Sequence, residues 1–278
     1  MTFGGGQAGR GRPPAVTVPG MGDPVLYERT GHVATITYNR PEVLNALNGE
    51  MRRGLNDAFG RFRDEEEAWV AIVTGAGRAF CAGADLRDGA GSTGDFPGSF
   101  WEKPTVNSFE SGWEIYKPVI AAVNGHCLGY GLTLVTWCDF VLASERARFG
   151  YPEAALGVPA MVGAIRLPQK IGWADAMELL MTGEAVDAET AERIGLVWRV
   201  VPHDELMTEA RSLADRLVQA APLAQRAMKE MAMRAPHLSS PEAIRMGEAM
   251  RLAVSATADA REGMTAAAER RPPRWEGR

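Results

Sequence analysis

The strongest constraint on this chain is a set of short, nearly unbroken apolar runs rich in β-branched residues. Residues 69–74 read WVAIVT, Val119–Val123 reads VIAAV, and Val33–Tyr38 reads VATITY. A strand with one wet face alternates apolar and polar residues, whereas a strand covered on both faces stays apolar throughout. The runs therefore predict an α/β fold around a parallel sheet buried on both sides, with helices between strands. Residues 140–143 are a further strand candidate. Residues 48–66 predict a helix, because Met51, Leu55, Phe59 and Phe62 recur three or four apart. A second helix over 173–181 ends before Gly183, and Asp187 is placed to cap a short one that stops at Gly195. Beyond Pro202 the chain reads as helical, with Ala-rich segments punctuated by Pro222, Pro236 and Pro241.

Composition narrows the function classes. The chain has 278 residues and is 46% hydrophobic, which excludes wholesale disorder and allows one large domain or two small ones. No apolar run approaches the roughly 18 residues of a membrane span, so no membrane partner is expected. A net charge of -5 counts against nucleic acid as the main partner. Cys81, Cys127 and Cys138 form no CxxC pair and suit buried, reduced thiols of a cytoplasmic protein. His32, His126, His203 and His237 are scattered without HExxH spacing, so no metal is expected.

Residues 1–22, rich in Gly and Pro, read as a disordered tail. Gly4, Gly6 and Gly9 match GxGxxG, but neither the preceding strand nor the following helix of a dinucleotide fingerprint is there. Residues 23–215 are expected to form the α/β core and 216–278 a helical region. Between strands, residues 87–98 (RDGAGSTGDFPG) are too Gly-rich and polar for an element and predict a mobile loop.

Two glycine-containing loops follow apolar strands: 79–86 (AFCAGADL) and 124–131 (NGHCLGYG). A helix starting after the second would leave unpaired N–H groups at its head. Two such loops at neighbouring parallel strand ends could aim two donors at one oxygen, as an oxyanion hole, or could simply be tight turns. Glu153, within 149–156 (FGYPEAAL), follows a proline and precedes Ala154, Ala155, Leu156 and Val158. A carboxylate in apolar surroundings can serve as acid or base; the competing role is a cap or a solvated side chain.

Residues 39–48 (NRPEVLNALN), 79–86, 118–131 and 149–153, with 261–271 (REGMTAAAERR), together resemble the enoyl-CoA hydratase/isomerase, or crotonase, family over about residues 24–275. The resemblance implies a crotonase-like spiral of ββα units with a C-terminal helical region, assembled as a homotrimer or dimer of trimers. It also implies an acyl-CoA substrate, with coenzyme A as part of that substrate and no permanently bound cofactor. By resemblance, the backbone N–H groups of Ala84 and Tyr130 polarise the thioester carbonyl; many relatives carry Gly where Tyr130 stands, and its ring either points away or narrows the acyl pocket. Ala82, Gly83, Asp85, Leu86 and Gly129 are expected to border the substrate, with Asp85 also placed to cap the next turn.

The family's hydratases place two glutamates around the alkene. Glu153 matches one; the other falls at Thr133, within Gly131, Leu132, Thr133, Leu134, and a hydroxyl cannot act as a carboxylate base near neutral pH. The pattern is similar to that of the family's double-bond isomerases, which keep only the acid matching Glu153. Isomerisation or an atypical hydration is therefore implied. The alternative is a catalytically silent acyl-CoA-binding or scaffold protein of the same fold. Arg78 and Arg270 stand where relatives often carry Lys against coenzyme A phosphates, and the Lys common after RP is Glu42. His126 could reach the acyl pocket or be structural.

Overall fold

The computed structural model describes residues 22–88 and 114–278. The expected tail, apart from Gly22, and the expected loop beyond Asp88 lie outside them. The first element is β1 (Val25–Thr30), followed by β2 (Val33–Tyr38) and α1 (Gly49–Asp64). Asn48 caps α1 by accepting a hydrogen bond from the Met51 N–H, so the expected helix begins one residue later and ends two earlier.

Three strand pairs then repeat one device. β3 (Val70–Gly75) is followed by β4 (Ala79–Cys81), β5 (Val119–Val123) by β6 (His126–Leu128), and β7 (Phe140–Ser144) by β8 (Arg148–Gly150). Each time the first strand enters a large sheet and the second a small one. With β10 (Arg199–Val201), the large sheet has the order β1-β2-β3-β5-β7-β10, antiparallel only at β1; with β9 (Val186–Asp187), the small sheet runs β4-β6-β8-β9. This is the expected spiral of strand pairs and helices. Its corners are tight: a Cβ on Gly75 or Gly125 would run into the carbonyl oxygen of Ala79 or Arg78, so glycine is required there.

Both faces of the large sheet are covered, as the unbroken apolar runs predict. Val70, Ile72, Ile120 and Ala122 pack on one side with Leu206, Ala210 and Leu213 of α6 (Leu206–Val218). Ala71, Val73, Ala121 and Val123 pack on the other with Met51, Leu55, Phe59 and Phe62 of α1. The helix α2 (Tyr130–Val135) follows β6, and a 3-10 turn over Pro152–Leu156 follows β8. Next come α3 (Met161–Arg166), α4 (Trp173–Thr182) and α5 (Ala188–Arg193), the last capped by Asp187 as expected. The C-terminal helices are α7 (Pro222–Arg234), α8 (Ser240–Ser255) and α9 (Ala258–Glu269). Among the described residues no helix is long and apolar enough to cross a membrane.

Candidate active site

The first glycine loop leaves β4 and is stitched to the segment before α1. The Leu47 N–H donates to the Gly83 carbonyl at 2.8 Å, and the Asp85 N–H donates to the Leu47 carbonyl at 3.0 Å. These two bonds form a parallel bridge between Leu47 and Ala84 that uses the neighbours of Ala84 and not its own N–H. The Ala84 N–H is thereby turned away from the stitch, on a half-buried residue.

The second loop ends at Gly129, the N-cap of α2, with φ of 52°. Tyr130 opens α2, so its N–H has no intrahelical partner. The two loops come together at their glycines: a Cβ on Gly129 would lie 3.5 Å from the Gly83 Cα, and one on Gly83 would lie 3.4 Å from the Leu128 carbonyl oxygen. The Tyr130 ring is held under the guanidinium of Arg52 on α1, 4.5 Å from the ring centroid, which leaves the backbone donor role open to this residue.

Glu153 meets this junction from the 3-10 turn after β8. A Cβ on Gly129 would stand 2.6 Å from Glu153 Oε1. Glu153 Oε2 is buried and has no hydrogen-bond partner among the described residues. Burial raises the pKa of this carboxyl, and its own backbone N–H pulls weakly the other way. A carboxylate that is partly desolvated, has one oxygen unpaired among the described residues and sits beside two backbone turns can take or give a proton.

Thr133 lies one helical turn after Gly129, on the same side of α2, and its N–H donates to the Gly129 carbonyl at 2.9 Å. It is buried, and its hydroxyl bonds to the hydroxyl of Tyr151, itself fully buried, at 3.4 Å.

Asp85 is engaged by Arg40, whose Nη2 lies 3.1 Å from Oδ2, and accepts from the Arg87 N–H at 3.2 Å, the capping role expected of it. Ala82 is half-buried, with its N–H on the Leu44 carbonyl, while Leu86 is exposed. Arg78 and Arg270 are exposed, and neither side chain makes a hydrogen bond or ion pair among the described residues. His126 is exposed at the start of β6. Asp139 accepts from the Val119 N–H at 2.8 Å, the backbone role its place at a strand start calls for. No cluster of three His, Cys, Asp or Glu able to hold a metal occurs among the described residues.

Three residues matter that the motifs alone did not single out. Arg40 also donates to the Ala46 carbonyl at 2.7 Å, bracing the Ala84 loop from behind. Asn45, fully buried with φ of 57°, donates to the carbonyls of Ala76 and Ala79 and accepts from the Arg40 N–H. Tyr151 is the third. All three lie inside quoted motifs, but only the fold brings out what they touch.

The family model for enoyl-CoA hydratase/isomerase matches residues 28–278. The chain belongs to the enoyl-CoA hydratase/isomerase family. It is 40% identical over 256 residues to a probable enoyl-CoA hydratase of Mycobacterium tuberculosis, covering 90% of this chain and 97% of that one. It is 39% identical over 254 residues to a carnitinyl-CoA dehydratase of Proteus mirabilis, covering 89% and 96%. Among solved structures, an enoyl-CoA hydratase from Mycobacterium tuberculosis superposes with a TM-score of 0.84 at 35% identity, over 92% of this chain and 100% of that one. This family member is accordingly an enzyme with the crotonase fold, and the two glycine loops and Glu153 lie within the matched region.

Proposed function

We propose that this enoyl-CoA hydratase/isomerase family member binds an acyl-CoA thioester with its carbonyl oxygen between the N–H groups of Ala84 and Tyr130. The observation that carries this reading is Glu153, with Oε1 against Gly129 at the junction of both donor loops and Oε2 buried without a partner. Two N–H donors stabilise the enolate that forms when a proton leaves the α-carbon; losing one such donor typically costs about 100- to 1,000-fold in rate. Glu153 takes that proton from a 3-enoyl thioester and returns it at the γ-carbon, which moves the double bond into conjugation. Ala82, Gly83, Asp85, Leu86 and Gly129 shape the substrate border around this chemistry. Among them Asp85 acts through Arg40 and the loop, and not by direct contact.

Thr133 supports isomerisation over two-carboxylate hydration, because it leaves Glu153 as the one carboxylate assigned to proton transfer. A second reading, atypical hydration with Thr133 helping to hold water, is favoured by the hydratase and dehydratase names of the relatives. The silent-scaffold alternative has less support, since a partly desolvated carboxylate with one buried oxygen unpaired among the described residues is costly unless it is used. Coenzyme A arrives with the substrate, so the reaction needs no resident cofactor; Arg78 and Arg270 are the cations we assign to its phosphates. Assembly as a trimer or dimer of trimers through the region from residue 216 is supported by α8, which buries no residue and exposes Ile244 and Leu252. Three buried cysteine side chains suit action in the cytoplasm.

The test is spectroscopic. Conversion of a 3-enoyl-CoA generates enoyl-thioester absorbance, and hydration of crotonyl-CoA removes it. Isomerisation predicts the first signal to dominate, atypical hydration the second. Binding of both thioesters with neither signal would favour the scaffold.

A further inference from the structure

The environment of Thr133 bears on which reaction Glu153 performs, and it is set by a residue with no assigned role. The Tyr151 phenol is fully buried, and its hydroxyl meets Thr133 Oγ1 at 3.4 Å, near contact distance for two oxygens. The ring also lies on the backbone of α3: a Cβ on Gly163 would stand 2.5 Å from Cε1 and Cζ and 2.8 Å from the hydroxyl oxygen. Gly163 is itself buried. The phenol is therefore wedged between α2 and α3, and a ring pinned in this way has little freedom to swing aside.

Thr133 and Gly129 are one turn apart on the same side of α2, and Glu153 Oε1 stands over Gly129. A carboxylate at position 133 would thus project beside Glu153, into space the phenol fills.

We propose that Tyr151 is the specificity-determining residue of this site: wedged against Gly163, it closes the space beside Thr133 to a second carboxylate and its water, and so restricts the enzyme to proton transfer by Glu153 alone. The proposal rests on the acyl-CoA reading above and deepens it. It also implies that Thr133 by itself is not what withholds hydration. Restoring a glutamate there is insufficient while the ring remains.

The experiment compares wild-type protein, Thr133→Glu, Tyr151→Ser and the double variant, using crotonyl-CoA for hydration and a 3-enoyl-CoA for isomerisation. The readout is the ratio of the two rates, with melting curves taken on each protein. The double variant is expected to raise the hydration-to-isomerisation ratio by about tenfold or more, since a placed general base contributes at least that much. Thr133→Glu alone is expected to leave the ratio near wild type. A gain with Thr133→Glu alone equal to that of the double variant overturns the proposal, as does a folded double variant with an unchanged ratio. Should the double variant melt below the assay temperature, Thr133→Asp with Tyr151→Val, which leaves a smaller void, is read by the same criteria. Wild-type protein that turns over neither thioester overturns the acyl-CoA reading and this proposal with it; turnover with an unchanged ratio overturns the role of Tyr151 alone.

Discussion

The carboxylate of Glu153 lies so close over Gly129 that a Cβ at that glycine would stand 2.6 Å from Oε1. One residue caps the helix that carries the Tyr130 N–H; the other is the site's desolvated acid. Their contact ties the group we propose for proton transfer to the loops we propose for the carbonyl, and it depends on the absence of a side chain at position 129.

Gly129→Ala is therefore expected to displace the Glu153 carboxylate. The backbone there has φ of 52° and ψ of -114°, a conformation that glycine adopts readily and that strains any side-chain-bearing residue. Turnover should fall by about 100-fold or more, the usual contribution of a placed acid or base. Steady-state kinetics alongside thermal melting checks this; wild-type kcat in the variant would show that the contact does not constrain Glu153.

The second prediction concerns pH. Burial raises the Glu153 pKa, so the folded protein holds this proton to higher pH than the unfolded chain. Its contribution to stability consequently falls as pH rises from the ordinary carboxylate range through the folded-state pKa. Glu153→Gln removes the buried charge and is expected to melt above wild type at about pH 8, with the gap narrowing toward about pH 4. Equal melting temperatures at the higher pH would contradict the desolvation assigned here. In wild type, the acid limb of the rate profile should lie above the ordinary carboxylate range.

Arg40 and Asp85 form a largely buried ion pair, with side chains 19% and 11% exposed, behind the Ala84 loop. Arg40→Met and Asp85→Asn should each lower kcat more than they raise KM, because in the proposed site the pair positions the Ala84 donor. A double-mutant cycle should show coupling of about 0.5–3 kcal/mol in stability. Additive effects would mean that the pair does not act as a unit.

Asn45 is fully buried in a left-handed conformation and holds the corner between β3 and β4 through the Ala76 and Ala79 carbonyls, at 2.9 and 2.7 Å. Asn45→Gly and Asn45→Ala both lose these bonds, at about 1–3 kcal/mol for each buried group left unsatisfied. Alanine should be the worse of the two by about 1 kcal/mol, since it alone adds backbone strain. Denaturant midpoints decide this, and alanine matching glycine would remove strain from the account.

The central strands β3, β5 and β7 were readable because they are largely apolar on both faces, a pattern with few other uses, and β2 because it is rich in β-branched residues. The expected strand 69–74 sits at Val70–Gly75 because the Trp69 N–H bonds to the His32 carbonyl before the ladder begins. The three-residue strands β4, β6 and β8 were not readable: they are too short to show a period, and only the corner geometry sends them into a second sheet. The same division runs through the site. Glycine loops and Glu153 stand out in one dimension, whereas Arg40 against Asp85 and Tyr151 between Thr133 and Gly163 are relations across 45, 18 and 12 residues that exist only after folding.

The most direct test of the central claim is the rate at which Glu153→Gln converts a 3-enoyl-CoA to the conjugated 2-enoyl-CoA, followed by thioester absorbance. The account predicts a loss of about 100- to 10,000-fold with thioester binding retained. Turnover close to wild type, on every acyl-CoA the wild-type enzyme accepts, would contradict it.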